Sequence, residues 1–144
     1  MEVRNEIVCQ VFGGIKSKET IDLVLKTFLN GYEELNVDYA FKPEDEEYVF
    51  KTEQQMINYF IERTGIEQCF YWNKETDNPE KIMVGANITR DDKLIMSLTM
   101  YVTDTVGKMY LNRLKQLLHT NVGVLTYTDP AEYEDGEDFI LKYA

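Results

Sequence analysis

The stretch LIMSLTMYVTD, residues 94–104, is the strongest indication of the fold of this chain. Its apolar side chains recur at every second position, at Leu94, Met96, Leu98 and Met100, with Ser97 and Thr99 between them. This period of two is typical of a strand with one face in a core. Thr103 or Asp104 then caps a helix. The stretch therefore predicts a strand that leads directly into a helix.

The residues on either side extend this unit. The helix has a broad apolar stripe formed by Val106, Met109, Tyr110, Leu114, Leu117 and Leu118. Residues 122–127 follow as the last core strand. On the other side, residues 67–72, 81–89 and 94–102 are predicted to form an antiparallel meander with turns at residues 73–79 and at Asp91-Asp92.

The first half of the chain adds two helices and two or three strands. A strand over residues 6–12 ends at Gly13-Gly14, and Ser17 caps a helix that runs to about residue 30. Alternation at Leu35, Val37, Tyr39 and Phe41 predicts a half-buried strand, and residues 48–50 are interpreted as a short one. Thr52 opens a capping box for a helix whose apolar face is Met56, Ile57, Phe60 and Ile61.

This order of elements predicts an α+β fold: a mixed, mainly antiparallel sheet with about three helices packed on one face. At 144 residues with 44% hydrophobic residues, the chain fits one globular domain, residues 1–144. Cys9 and Cys69 are expected to be reduced and buried, with a disulfide between them as the alternative. The sequence shows no secretory signal and no membrane-length apolar run, which predicts a cytoplasmic protein.

The net charge of −11 is carried entirely by two segments. The first acidic segment, residues 33–47, has seven acids and one lysine, and the second acidic segment, residues 128–144, has six acids and one lysine. Such surfaces attract cationic partners and repel nucleic acid and anionic membranes. In the second acidic segment the acids alternate with Tyr133, Phe139, Ile140 and Tyr143, which favours a tail that lies on the domain.

Two motifs resemble functional sites but are better explained as structural features of a turn and of a helix end. The segment Gly13-Gly14-Ile15-Lys16-Ser17 lies where a phosphate-binding loop belongs, yet it is too short and Ile15 separates glycine from lysine. His119 is the only histidine, which excludes two-histidine metal sites, and it is interpreted as a helix-end residue. Lys108, Arg113 and Lys115 form a basic strip that is a solvated face, a partner for the acidic tail, or a second contact point.

The acids themselves do not have the order that catalysis or metal binding requires. Adjacent exposed carboxylates stay ionised, and the tail lacks the spacing of a calcium loop, although residues 134–138 offer weak calcium ligands. We therefore predict no catalytic residue, no cofactor and no metal, and we interpret the acids as a contact surface for a basic protein. The candidate partner-binding residues are Glu44, Asp45, Glu46, Glu47, Asp129, Glu132, Tyr133, Glu134, Asp135, Glu137 and Asp138.

Residues 93–127, with the alternating strand, the Thr-Asp cap, the leucine-rich helix and the sequence GVLTYTD that leads to Pro130, resemble small acidic bacterial immunity proteins of polymorphic toxin systems. The resemblance implies a cytoplasmic, non-enzymatic protein that neutralises one cognate toxin, often a nuclease with a basic cleft. Acidic side chains would then take the place of substrate phosphates.

Two other classes of function remain open. One is an enzyme or a small-ligand-binding domain with a pocket between the sheet and the helices, lined by Tyr71, Trp72, Tyr101 or Tyr110. The other is a structural or adaptor subunit. The oligomeric state is not predicted.

Overall fold

A computed structural model describes residues 2–40 and 50–144, and its secondary structure there is five strands and four helices. In chain order these are β1 (Arg4–Ile15), α1 (Lys18–Phe28), α2 (Glu53–Glu62), β2 (Gln68–Trp72), β3 (Met83–Ile88), β4 (Lys93–Thr103), α3 (Asp104–Leu117), β5 (Gly123–Tyr127) and α4 (Gly136–Tyr143). The strands form one sheet in the order β2-β3-β4-β1-β5, and every neighbouring pair is antiparallel. The predicted α+β class is confirmed, with one helix, α4, beyond the three expected.

The sheet has two faces with different coverings. On the face that α1, α2 and α3 cover, here called the helix face, Cys9 of β1 lies beside Leu98 of β4 and Leu125 of β5. Leu94, Met96, Leu98 and Met100 are all buried there, as their alternation predicts. Ser97 and Thr99 point to the opposite face, here called the open face. Among the residues described, only the chain after β5 crosses that face.

Gly107 lies where α3 packs on β1. A Cβ atom at this position would lie 2.6 Å from Cδ1 of Ile7, so a larger residue would require the Ile7 side chain or the helix to shift. The Cys9 thiol lies at the same contact, 3.6 Å from the Gly107 carbonyl, and burial raises its pKa to about 12. Cys69 is half-buried on the open face. The two thiols are free and on opposite faces of the sheet, which excludes a disulfide between them. Burial is confirmed for Cys9, whereas the prediction that Cys69 is also buried is wrong, because the open face is only partly covered at β2.

Helix caps follow the predictions from sequence. The side chains of Ser17, Thr52 and Thr103 accept hydrogen bonds from the first turns of α1, α2 and α3. At the end of α3, His119 has a left-handed φ of 55°, and its amide donates to the Gln116 carbonyl. The amide of Thr120 donates to the Lys115 carbonyl, and the two hydrogen bonds together form a Schellman motif.

The strand predicted from the alternation at Leu35, Val37 and Tyr39 is wrong over residues 35–40. These residues form no strand in the structure because they pack one by one on α2 and β2. The Leu35 amide donates to the buried carboxylate of Glu53, and the Tyr39 ring stacks on Phe70 at 5.9 Å. Phe41 and residues 48–49 of the other predicted strand lie outside the described residues, and Phe50 is buried but in no strand.

The chain contains no helix, within residues 2–40 and 50–144, that is long and apolar enough to cross a membrane.

Lys16 joins three parts of the fold. Its side chain is only 6% exposed, and its ammonium lies 2.9 Å from Asp92 in the β3–β4 turn. It also donates to the carbonyls of Phe60 and Arg63 at the end of α2. Lys16 therefore provides hydrogen-bond donors to carbonyls at the C-terminal end of α2 and holds that end against the β3–β4 turn. Because all these contacts are internal, Lys16 does not serve a phosphate-binding loop.

We predict that Lys16→Met lowers the free energy of unfolding by about 2–3 kcal/mol, because two carbonyls and the Asp92 carboxylate lose their shared donor. Lys18→Met is the matched control, since it removes only an i,i+4 pair with the exposed Asp22 and should cost about 0.5 kcal/mol or less. Urea unfolding of the two variants and the wild type measures both. Equal effects of the two substitutions would contradict the role given to Lys16.

Candidate functional site

The second acidic segment crosses the open face as an anchored chain. After β5, the Ala131 amide donates to the buried Gln10 side chain at 2.8 Å, and Asn87 donates to the Tyr133 hydroxyl. Burial is the main reason that the pKa of Tyr133 rises to about 12. Phe139 of α4 is fully buried between the rings of Tyr133 and Tyr143. The prediction that the tail lies on the domain is therefore confirmed.

Asp91, in the β3–β4 turn, binds the N-terminus of α4. Its carboxylate accepts hydrogen bonds from the amides of Gly136 at 2.8 Å and Glu137 at 3.0 Å, and from the Thr89 hydroxyl. Burial opposes ionisation of this carboxyl, but the three hydrogen bonds outweigh it and hold its pKa below the ordinary value. A Cβ atom at Gly136 would lie 2.4 Å from Cβ of Lys93, so glycine permits the close contact.

The remaining contacts use acids that the sequence suggested for partner binding. Asp135 is the N-cap of α4 and accepts from the Asp138 amide. The Asp138 carboxylate accepts from the Glu134 amide and pairs with Lys142 at 3.1 Å, and both interactions, in that order, lower its pKa. The Arg90 guanidinium lies 3.6 Å from the Asp135 carboxylate and 3.7 Å from the Glu134 carboxylate. Some of the acids therefore hold the tail in its folded conformation.

The eleven candidate partner-binding residues thus fall into three groups. Tyr133, Asp135 and Asp138 hold the tail in place. Exposed residues that remain available for a contact are Asp129, Glu132, Glu134 and Glu137. Glu44, Asp45, Glu46 and Glu47 lie outside the described residues. No three His, Cys, Asp or Glu side chains converge as a metal site in the part of the chain that the structure describes.

A groove of about 830 Å³ lies on the open face beside the tail. Its floor is formed by Val8, Gly85, Ser97 and Thr99, from β1, β3 and β4. One wall comes from β2, where Cys69 and Tyr71 point to this face, and the other wall is residues 128–134. The groove is open to solvent, and no periodicity along the chain predicts it because four strands and the segment after β5 form it together.

The four aromatic residues expected to line a pocket between sheet and helices do not come together in the structure. Trp72 is fully buried on the helix face, where its indole donates to Glu53. Tyr110 is also buried and donates to Glu80. Tyr101 is exposed on the open face outside the groove, and only Tyr71 of the four lines it.

The basic strip on α3 does not pair with the tail. The helix α3 packs on the helix face, whereas the second acidic segment lies on the open face. The Arg113 guanidinium instead lies 5.2 Å from the Phe28 ring and 5.4 Å from the Tyr110 ring. Among the residues described, the acids of the tail form ion pairs with Arg90 and, within the tail itself, with Lys142.

Comparison of the chain with protein-family models, with curated proteins and with solved structures gives no significant match. The site must therefore be interpreted from its own geometry.

We predict that Asp91→Asn lowers the free energy of unfolding by about 1 kcal/mol at pH 7, because the amide presents hydrogens to the start of α4 in place of a carboxylate oxygen. A carboxyl whose folded pKa is lowered stabilises the fold above its ordinary pKa of about 3.9. That contribution is lost as the pH falls through the folded pKa. The difference between variant and wild type should therefore shrink below about pH 4 in urea unfolding across pH. A difference that is constant from pH 7 to pH 2.5 would contradict this role of Asp91.

Proposed function

We propose that this chain is a non-enzymatic binding protein of the bacterial immunity type, which acts in the cytoplasm and neutralises a basic toxin domain, such as a nuclease. The proposal rests on one observation: the second acidic segment is anchored to the sheet while several of its carboxylates are exposed. Asp129, Glu132, Glu134 and Glu137 are exposed on a backbone that Gln10, Asn87 and Asp91 anchor to the sheet.

Anchoring matters because a contact surface that is already ordered loses less conformational entropy on binding. The four exposed carboxylates are presented on a short loop and the first turn of α4. A free acidic tail of the same charge would have to be ordered at the moment of contact. The anchored segment therefore favours recognition over a purely solubilising role.

Charge supports the same partner class. With a net charge of −11 concentrated in two segments, the protein would attract a basic partner over a distance of about 8 Å at physiological salt. Steering of this kind raises association rates and depends strongly on ionic strength. A basic cleft that normally binds phosphates is the kind of surface that a row of carboxylates complements.

The proposal predicts that the triple variant Glu132→Lys, Glu134→Lys and Glu137→Lys loses its partner while staying folded. These three side chains are exposed, and the variant keeps Asp135 and Asp138, which hold α4. The immobilised wild-type protein should retain a basic protein from a lysate of its host at low salt. The triple variant should retain at least about tenfold less of it. Growth of cells that express the captured protein should be rescued by the wild type and not by the variant.

The control is a second triple variant with the same change in net charge at positions outside the second acidic segment. Asp22, Glu62 and Glu75 are exposed, and their replacement by lysine changes the net charge by the same amount. This control variant should retain the partner nearly as well as the wild type. Equal losses in both triple variants would mean that only net charge matters. Capture of no basic protein by the wild type at low salt would contradict the proposed function.

A further inference from the structure

We infer that the groove on the open face binds an arginine-bearing segment of the basic partner. The inference rests on the proposed function and makes it specific, because it names the place and the side chain of the contact. The groove volume of about 830 Å³ lies within the range of about 300–1,000 Å³ that ligand sites occupy. It is therefore large enough for a side chain together with the backbone that carries it.

The rim of the groove is acidic on both sides. Glu67 stands beside β2, and Glu132 and Glu134 stand on the opposite wall. The lysine that lines the groove, Lys142, is paired with Asp138. Arg90 approaches Glu134 only at 3.7 Å, with both side chains largely exposed, so a partner cation can replace that weak pair. The electrostatic complement of this rim is a positive side chain.

The β2 wall and the floor select the form of that positive side chain. Tyr71, which is 40% exposed, presents its ring from the wall, and Ser97 and Thr99 of the floor supply hydroxyl groups as acceptors. A guanidinium is planar, stacks on aromatic rings and donates up to about five hydrogen bonds, whereas an ammonium is a compact and strongly hydrated charge. A ring beside several acceptors, with carboxylates above, therefore matches arginine better than lysine.

Gly85 keeps the floor flat for this purpose. A Cβ atom there would lie 2.2 Å from Oγ of Ser97 and 2.9 Å from Cε1 of the Tyr71 ring. Without a side chain at Gly85, the Tyr71 ring and the Ser97 hydroxyl both lie over the β3 backbone. The site is thus formed before any ligand arrives, which reduces the entropy lost on binding.

The test uses a defined probe, the peptide acetyl-Gly-Arg-Gly-Arg-Gly-amide, titrated into the ¹⁵N-labelled protein and followed by NMR. The control peptide has citrulline in place of arginine, which keeps the shape and removes the charge. We expect saturable shifts at the amides of Tyr71, Gly85, Ser97 and Thr99. Affinity for the citrulline peptide should be at least about tenfold lower.

Two variants localise the binding. Thr99→Trp fills the groove and should weaken arginine-peptide binding at least about tenfold. Tyr101→Trp, on the same strand and face but outside the groove, should leave it within about twofold. If Thr99→Trp does not give a folded spectrum, Met83→Trp fills the groove from β3 instead. Equal binding by the groove-filled variant and the wild type would overturn the inference, as would shifts confined to α4 or none at all.

The two proposals fail in different ways. If the peptide leaves the groove amides unshifted while the Glu132, Glu134 and Glu137 variant still loses a captured basic protein, the groove inference is wrong and the proposed function stands. If the peptide binds in the groove but no basic protein is captured, the proposed function is wrong and the arginine preference of the groove stands.

Discussion

The pairing of β1 with β4 is the constraint on which the rest of the structure depends. It aligns the first strand of the chain with a strand far along it, in one register from Arg4 beside Thr103 to Phe12 beside Ile95, before a shift in register at Ile15, and it forms the centre of the sheet. Because the side chains of both strands alternate, this one register places Cys9 and Leu98 under the helices and Gln10 and Ser97 on the open face. A slip of one residue would exchange the two faces. Every element that carries the proposed site is therefore positioned by this register.

The open face explains why the tail is acidic and yet folded. A central sheet face with Val8 and Ile95 needs a partial covering, and α4 supplies it through the buried Phe139. The acids of the tail divide between two tasks. Asp135 and Asp138 satisfy backbone amides within the segment, while the exposed glutamates face solvent around the groove. Arg90 lies beside Glu134 and Asp135, just before α4, and offsets part of their negative charge.

Prediction from the sequence was most successful where periodicity and caps agreed. The alternation through β4 and the Thr103 cap of α3 lie where the pattern placed them. The alternation at residues 35–40 misled because its side chains pack separately on α2 and β2 without a neighbouring strand. The helix α4 was missed because it has eight residues and begins with glycine, although the Asp135 cap and the acids of its first turn signalled it. The groove had no signal of its own, since its walls come from distant parts of the chain.

Amide hydrogen exchange of the free protein over residues 131–144 would show whether the second acidic segment is folded. The claim is that this acidic segment is part of the folded domain and presents its carboxylates from a fixed backbone. The amides of Phe139, which closes the first turn of α4, and of Ala131, which donates to Gln10, are then predicted to exchange roughly a hundredfold or more slowly than in an unfolded chain. Exchange of these amides at the rate of an unfolded peptide at pH 7 would contradict the account.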